Sequence, residues 1–230
     1  MNKTISINQP AYLPWLGYFE RIDRSDHHIV LDHVQFEKNS MTNRNKINTT
    51  NGPLLLSVPL LTSGKFGDLA INNLQIQNSQ NWRKKHWQSI YFSYKKAPFF
   101  KKYEKEIEHF YSYNWQSFNE CLKAQLIFFL DALQITTKIS YSSDHCWHHT
   151  KSDLILEICQ HFSASKYLSG AFGKDYLSLE SFRHHTINVE FQDYQHPTYQ
   201  QMTLPFTSHL SILDLLFNHG DDSIAILRNR

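Results

Sequence analysis

The amino-acid sequence predicts an α/β fold: a parallel sheet flanked by helices, with a helical insertion over about residues 80–134. Three observations lead there. The opening residues run strand, turn, helix, strand, the order of a βαβ unit. Apolar runs too short for helices recur later in the chain. Across residues 82–133 the apolar positions change to helical spacing. No repeat or low-complexity linker interrupts this order, so residues 1–230 read as one α/β domain.

Residues 5–8 are a short β-type run closed by Gln9-Pro10, because proline removes a ladder donor and pushes the residue before it toward extended geometry. Residues 14–22 read as a helix, with Pro14 near its first turn and Trp15, Tyr18, Phe19 and Ile22 at i, i+3, i+4, i+7. Residues 28–32 form a compact β-branched run of the kind buried in parallel sheets. This opening is Rossmann-like in topology. Residues 54–60 (L-L-L-S-V-P-L) read as another buried strand, framed by Asn51-Gly52-Pro53 and by a polar stretch at 62–68. Residues 71–76 alternate as an edge strand would. Helices are expected at 82–95, stopped by Ala97-Pro98, at 99–111, and at 117–133 with Leu122, Leu126, Phe129 and Leu133 on one stripe. The remainder reads as a strand at 138–141, a helix at 151–162, strands at 165–169 and 188–191, and a helix at 211–217 closed by Asn218-His219-Gly220.

Composition narrows the function. A hydrophobic share of 41% with 19% charged residues fits a packed core and excludes global disorder. A net charge of +2 is too small for a general polyanion binder, so nucleic acid is not an expected partner. No run reaches the ~18–20 apolar residues that span a bilayer, and the first ten residues lack a signal core. A cytoplasmic protein without membrane insertion is expected, with a homodimer left open. Cys121, Cys146 and Cys159 are odd in number and lack a C-x-x-C spacing, which points to reduced thiols. The His145–His149 grouping around Cys146 matches no usual zinc spacing, so no metal is expected.

Residues able to do chemistry gather where strands end, the place at which open parallel sheets bind ligands. Gln9, Tyr12, Trp15 and Tyr18 occupy the first strand-to-helix turn, whose helix N-terminus offers N–H groups to an anion. Asp32 and Gln35 follow the second strand, and Asn43, Arg44 and Lys46 come soon after. An acidic residue there meets a ribose or an amine, while Arg44 and Lys46 suit phosphate or carboxylate; an Asp32–Arg44 ion pair on a surface loop is the alternative. Ser169, Gly170, Gly173 and Tyr176 end a later strand, and two glycines three apart allow close backbone approach without forming a Walker sequence. His196 precedes Pro197 in extended geometry and can give or take a proton, with Tyr199 and Asp214 downstream. The insertion is rich in lysine and aromatics, yet Trp87, Ile90 and Tyr94 recur at helical spacing, so a core stripe with a solvated lysine face is expected.

The string I-x-x-N-Q-P-A-Y-L-P-W-L-G-Y-F-x-R-I-x-x-S-D-x-x-I-V-L-D-x-V-Q-F from Ile5, followed by N-R-N-K-I from Asn43, closely resembles the opening of the WbqC-like family. Y-L-S-G-x-x-G-x-x-Y-L from Tyr167, H-P-x-Y from His196 and L-S-I-L-D-L-L-F-N-x-G from Leu210 resemble its later blocks, so the likeness covers essentially the whole chain. It implies a bacterial protein of surface-polysaccharide biosynthesis, especially of the O-antigen of lipopolysaccharide, in pathways that work on nucleotide-linked sugars. In topology the opening also resembles nucleotidylyltransferase-like enzymes, which carry histidines beside the Leu-Gly pair. Trp15 and Tyr18 stand at those positions here, which counts against their ATP chemistry and points to stacking of a base on the rings.

Together these readings predict an enzyme that modifies a nucleotide-linked sugar, by N-acylation or aminoacylation of an amino sugar. It would be a transferase or an ATP-dependent amide-forming ligase, with ATP or an acyl donor as co-reactant. Tyr12 and Trp15 would stack the base or sugar, Arg44 and Lys46 would take phosphate or carboxylate, and Asp32 or His196 would handle the amine proton. The rival is a non-catalytic nucleotide-sugar-binding or scaffold protein, which predicts an exposed aromatic patch at Trp82, Trp87 and Phe99.

Overall fold

The computed structural model describes residues 3–38, 40–62 and 69–228. Most of the polar stretch expected at 62–68 lies outside the described residues. The chain divides into two compact units. One comprises Met1–Pro10, Glu20–His33 and Ile135–Gln195; the other comprises Ala11–Phe19, Val34–Gln134 and His196–Arg230.

The first unit holds a five-stranded parallel sheet. Its strands are β1 (Thr4–Asn8), β2 (His27–Val30), β5 (Lys138–Tyr141), β6 (Lys166–Ser169) and β7 (Asn188–Phe191), in the order β5-β2-β1-β6-β7. Burial follows position. β1, β2 and β6 are central and almost wholly buried, whereas the edge strands β5 and β7 keep partly exposed residues. The β7 edge carries charge: Glu190 pairs with Lys166 at 3.0 Å and also with Arg24. Ser6 and His28 face each other in the register of β1 and β2, and the Ser6 hydroxyl bonds His28 Nδ1 at 2.8 Å inside the sheet. Helices α5 (Lys151–His161) and α6 (Leu179–His184) make the crossovers from β5 to β6 and from β6 to β7. The strand order reverses at β1, which places a switch point between β1 and β6 at their carboxyl ends.

Helix α1 (Leu16–Asp23) follows β1, two residues after Pro14, and divides between the two units. Leu16, Phe19 and Ile22 are fully buried.

In the second unit, β3 (Arg44–Ile47) and β4 (Leu54–Ser57) form an antiparallel hairpin, with Gly52 at φ 93° in its turn. This corrects the buried strand expected at 54–60. The strand stops at Ser57 before Pro59, and Leu54 and Leu55 are 41% and 43% exposed. The edge strand expected at 71–76 is also corrected: Ile71–Asn73 is a 3-10 turn, favoured by the paired asparagines, and only single bridges form at Gln75 and Ile76. Helices α2 (Trp82–Tyr94), α3 (Phe100–Ser112) and α4 (Phe118–Ala132) fall where helical spacing placed them, and α4 is capped by the Ser117 hydroxyl accepting from the Glu120 N–H at 3.3 Å. Helices α7 (Ile212–His219) and α8 (Ser223–Leu227) end the chain. Among the described residues no helix is long and apolar enough to cross a membrane.

Candidate functional site

The carboxyl ends of the first unit's strands carry a linked set of polar side chains. Asp32, just past β2, is fully buried. Its carboxylate accepts from Ser142 Oγ at 3.1 Å, from the Ser143 N–H at 2.9 Å and from Ser143 Oγ at 2.8 Å, all from the turn that follows β5. The Ser142 oxygen accepts the Asp32 N–H at 3.0 Å and lies 2.6 Å from His33 Nδ1. With the Ser142 proton assigned to the Asp32 carboxylate, Nδ1 of His33 is assigned as the protonated ring nitrogen and Nε2 as the basic one. Burial lowers the pKa of this half-buried imidazole, with the Asp32 and Glu157 charges opposing, so the ring is neutral near pH 7. The Trp147 indole stacks on it at 6.3 Å and donates Nε1–H to the Ser142 carbonyl at 2.7 Å.

A second feature lies at the end of β6. Arg21 on α1 is only 8% exposed, and a Cβ at Gly170 would come within 2.1 Å of its Nη1. Glycine at 170 is what lets a buried guanidinium sit against the strand end. Gly173 is set by packing, since a Cβ there would meet Ser169 Oγ at 2.0 Å. Ser169 is buried and donates to the Gly170 carbonyl at 3.1 Å, while Tyr176 is 49% exposed. Burial raises the Tyr176 pKa, and the Tyr167 hydroxyl and Arg21 charge oppose that rise. Gln9, after β1, is half-buried.

The other residues singled out from sequence lie in the second unit. Tyr12 is fully buried, with its hydroxyl on His86 Nδ1 at 2.8 Å and on Tyr111; burial first and Tyr111 second raise its pKa. Tyr18 is 3% exposed and packs edge-on to Phe19. Trp15 lies over Gly17, where a Cβ would meet its ring at 2.2 Å, and stacks on His209 at 5.3 Å. His196 continues this group, 4.9 Å from His209 and 6.2 Å from Tyr199. Burial lowers the His196 pKa. Asp214 accepts from Tyr94 at 3.0 Å, Tyr199 at 3.0 Å and Gln201 at 2.8 Å, a buried network that fixes α7. Burial raises the Asp214 pKa against those three hydrogen bonds. Asn43 and Arg44 line an open cleft of about 410 Å³ with Lys38, while Lys46 and Gln35 are exposed on their own segments.

Of the rings expected to form an exposed patch, Trp82 is buried, and Trp87 and Phe99 are half-buried, Phe99 with its ring against Gly220. Trp82 is 3% exposed against His86 and Tyr111, and Trp87 stacks on Phe100 at 6.3 Å.

The turn at 9–17, the Arg21–Gly170 contact and the buried Asp214 all fall inside the sequence blocks noted at the outset, and a profile of the WbqC-like protein family matches residues 9–226. The chain belongs to the WbqC-like protein family. It is 30% identical over 228 residues to uncharacterized protein Rv1507c of Mycobacterium tuberculosis, with 98% of each chain covered. No solved structure matches it. The WbqC-like blocks thus contain both side chains that shape turns, such as Trp15, and side chains at strand ends, such as Asp32 and Gly170.

Sequence reasoning missed His33, Ser142 and Arg21. His33 stood beside a more conspicuous aspartate. Arg21 had one usable signal, an arginine within a short helix whose other positions are almost all buried.

Proposed function

We propose that this WbqC-like protein is an enzyme of bacterial surface-polysaccharide assembly that binds a nucleotide-linked amino sugar at the carboxyl ends of its parallel sheet and modifies the amine, by N-acylation or aminoacylation. One observation carries the reading: a neutral histidine base and a buried arginine stand at the ends of the two strands that flank β1. Strands β2 and β6 are each one spacing from β1, so their ends are about 10 Å apart. That separation suits a ligand with a diphosphate at one end and a reacting amine at the other.

The strand order supports it, because a parallel sheet whose strand order reverses at its first strand opens a crevice used in dinucleotide-binding folds. Arg21 offers a planar donor set for a phosphate, and the missing Cβ at Gly170 lets that guanidinium lie at the strand end. The half-exposed Tyr176 ring offers a face to a base or sugar. His33 Nε2 would take the amine proton as the amine attacks the carbonyl carbon of the donor, and as the new C–N bond forms the donor's C–S or C–O bond breaks, its thiolate or phosphate leaving. Asp32 acts through Ser142 as a positioning residue that holds the tautomer.

The test is calorimetric titration with UDP-, dTDP-, GDP- and CMP-linked amino sugars, followed by mass spectrometry after adding acyl donors, or ATP with glycine. At least one sugar nucleotide is expected to bind with a Kd below ~1 mM and to gain the mass of the transferred group. His33→Gln should keep binding and lower the transfer rate by about 10²-fold or more. Absence of binding by the whole panel overturns the proposal.

A further inference from the structure

Within the second unit, α3 and α4 leave a cavity of about 360 Å³ between them. Six rings wall it: Phe110, Tyr111, Tyr113, Trp115, Phe128 and Phe129. Leu13 and Leu213 also line it and are 2% and 1% exposed. Tyr113, at 56% exposure, together with the exposed Glu106 and His109, marks the way in from solvent. An engineered apolar cavity of about 150 Å³ already holds benzene, so this one has room for a guest of roughly eight to ten carbon atoms.

The cavity has one polar group set deep in its wall. Gln125 lines it and is 3% exposed. Its side-chain oxygen accepts from the Leu13 backbone N–H, which fixes which end of the amide is oxygen. The amide nitrogen makes no hydrogen bond to any of the described residues and is not sealed from the cavity space, so it is free to donate to an acceptor that a ligand brings in. The lining is otherwise too apolar to take a sugar, a nucleobase or a phosphate, each of which would leave several polar groups unmatched.

We infer that this cavity binds a hydrophobic acyl group, alkyl or aryl, with its carbonyl oxygen on the Gln125 amide nitrogen. The inference stands on residues of the second unit alone and does not depend on the proposed sugar-nucleotide site of the first.

Titration calorimetry with octanamide, benzamide and octylammonium tests it. Octanamide is expected to bind saturably, one per chain. If the natural group is alkyl, it binds at least tenfold tighter than benzamide; if aryl, the order reverses. Octylammonium keeps the chain but has no acceptor, and its binding should be at least tenfold weaker than that of octanamide. Ala124→Phe, which puts a ring into the space from a half-buried position on α4, should abolish binding while leaving the thermal melt cooperative. Ile127→Ala, at an exposed position of α4 outside the lining, should leave it unchanged. Absence of binding by both amides, undiminished binding to Ala124→Phe, or equal binding of octylammonium each overturns the inference.

Discussion

The backbone N–H of Leu13 donates to the side-chain oxygen of Gln125, 112 residues further along the chain. Leu13 sits in the left-handed region at φ 48°, a conformation that disfavours leucine, and its carbonyl accepts from Asn45 Nδ2 at 2.6 Å. Two buried amides therefore hold one strained residue, and with it the turn that presents Trp15. Gln125→Leu leaves the Leu13 N–H buried and unsatisfied, at a cost of about 1–3 kcal/mol. For a chain of this size the melting temperature should fall by roughly 2–12 °C, readable by circular dichroism. An unchanged melt would mean that the turn is held by its other contacts.

Gly17→Ala is expected to act against helix propensity. Alanine normally stabilises a helix over glycine by roughly 0.5–1 kcal/mol. Here the added Cβ would lie 2.2 Å from the Trp15 ring, so the indole must leave its place and its stack on His209. The variant should be less stable than the parent, and the tryptophan emission should shift to the red. A variant of higher stability with unchanged emission would contradict this.

Much of the fold could be read from local pattern, and the failures have physical causes. The strands ending at Asn8, Tyr141, Ser169 and Phe191 and the helices α2 to α4 fall where the sequence reading placed them, with the strongest helical periodicity in α3 and the weakest in α2, where Trp82, His86, Ile90 and Tyr94 still form one buried stripe. Arg44–Ile47 was missed as a strand because Asn45 and Lys46 have poor β propensity, and its pairing with Leu54–Ser57 supplies the order. The short helix Leu179–His184 was missed, and at six residues it has little period to detect. For the candidate site, the strand-end rule expected Asp32, Ser169 and Gly170 at the ends of strands, where the structure has them, but not the side chains they contact. Ser142 and Arg21 reach those positions only through the pairing of β2 with β5 and of β1 with β6, which lies outside any local window.

Gly170→Ala separates binding from folding. The clash it makes is with the far end of a flexible arginine, which can move aside at modest cost. Stability should change by no more than about 1 kcal/mol, while a moved guanidinium loses its alignment with a bound phosphate. Affinity for the sugar nucleotide is expected to fall at least tenfold, about 1.4 kcal/mol, with little change in melting temperature. Equal affinity in parent and variant would remove Arg21 from the proposed site.

The buried histidines set the acid limit of stability, and the direction follows from their shifts. Burial first, then the Arg21 charge, lowers His28 in the first unit to about 3, and burial lowers His86 in the second to about 4, from the ordinary 6.5. Below pH 6.5 the unfolded chain takes up protons that the folded chain refuses. The contribution of these two groups is therefore fully present above pH 6.5 and is lost as pH falls toward 4 and then 3. Each unshared proton costs about 1.4 kcal/mol per pH unit, so the pair should weaken folding by up to ~2.7 kcal/mol per unit between about pH 5.5 and 4.5. Asp214 works in the opposite sense: its raised pKa gives a contribution present at low pH and lost as pH rises above the carboxylate range, which blunts the acid loss. Urea melts from pH 7.5 to 4.5 should show this slope, to which His27, lowered to about 4 chiefly by burial, adds, and His28→Gln, which keeps a polar partner for Ser6 without a titrating ring, should make it shallower by up to ~1.4 kcal/mol per pH unit. A stability that stays flat from pH 6.5 to 4.5 in the parent would show that these rings are protonated without loss in the folded chain.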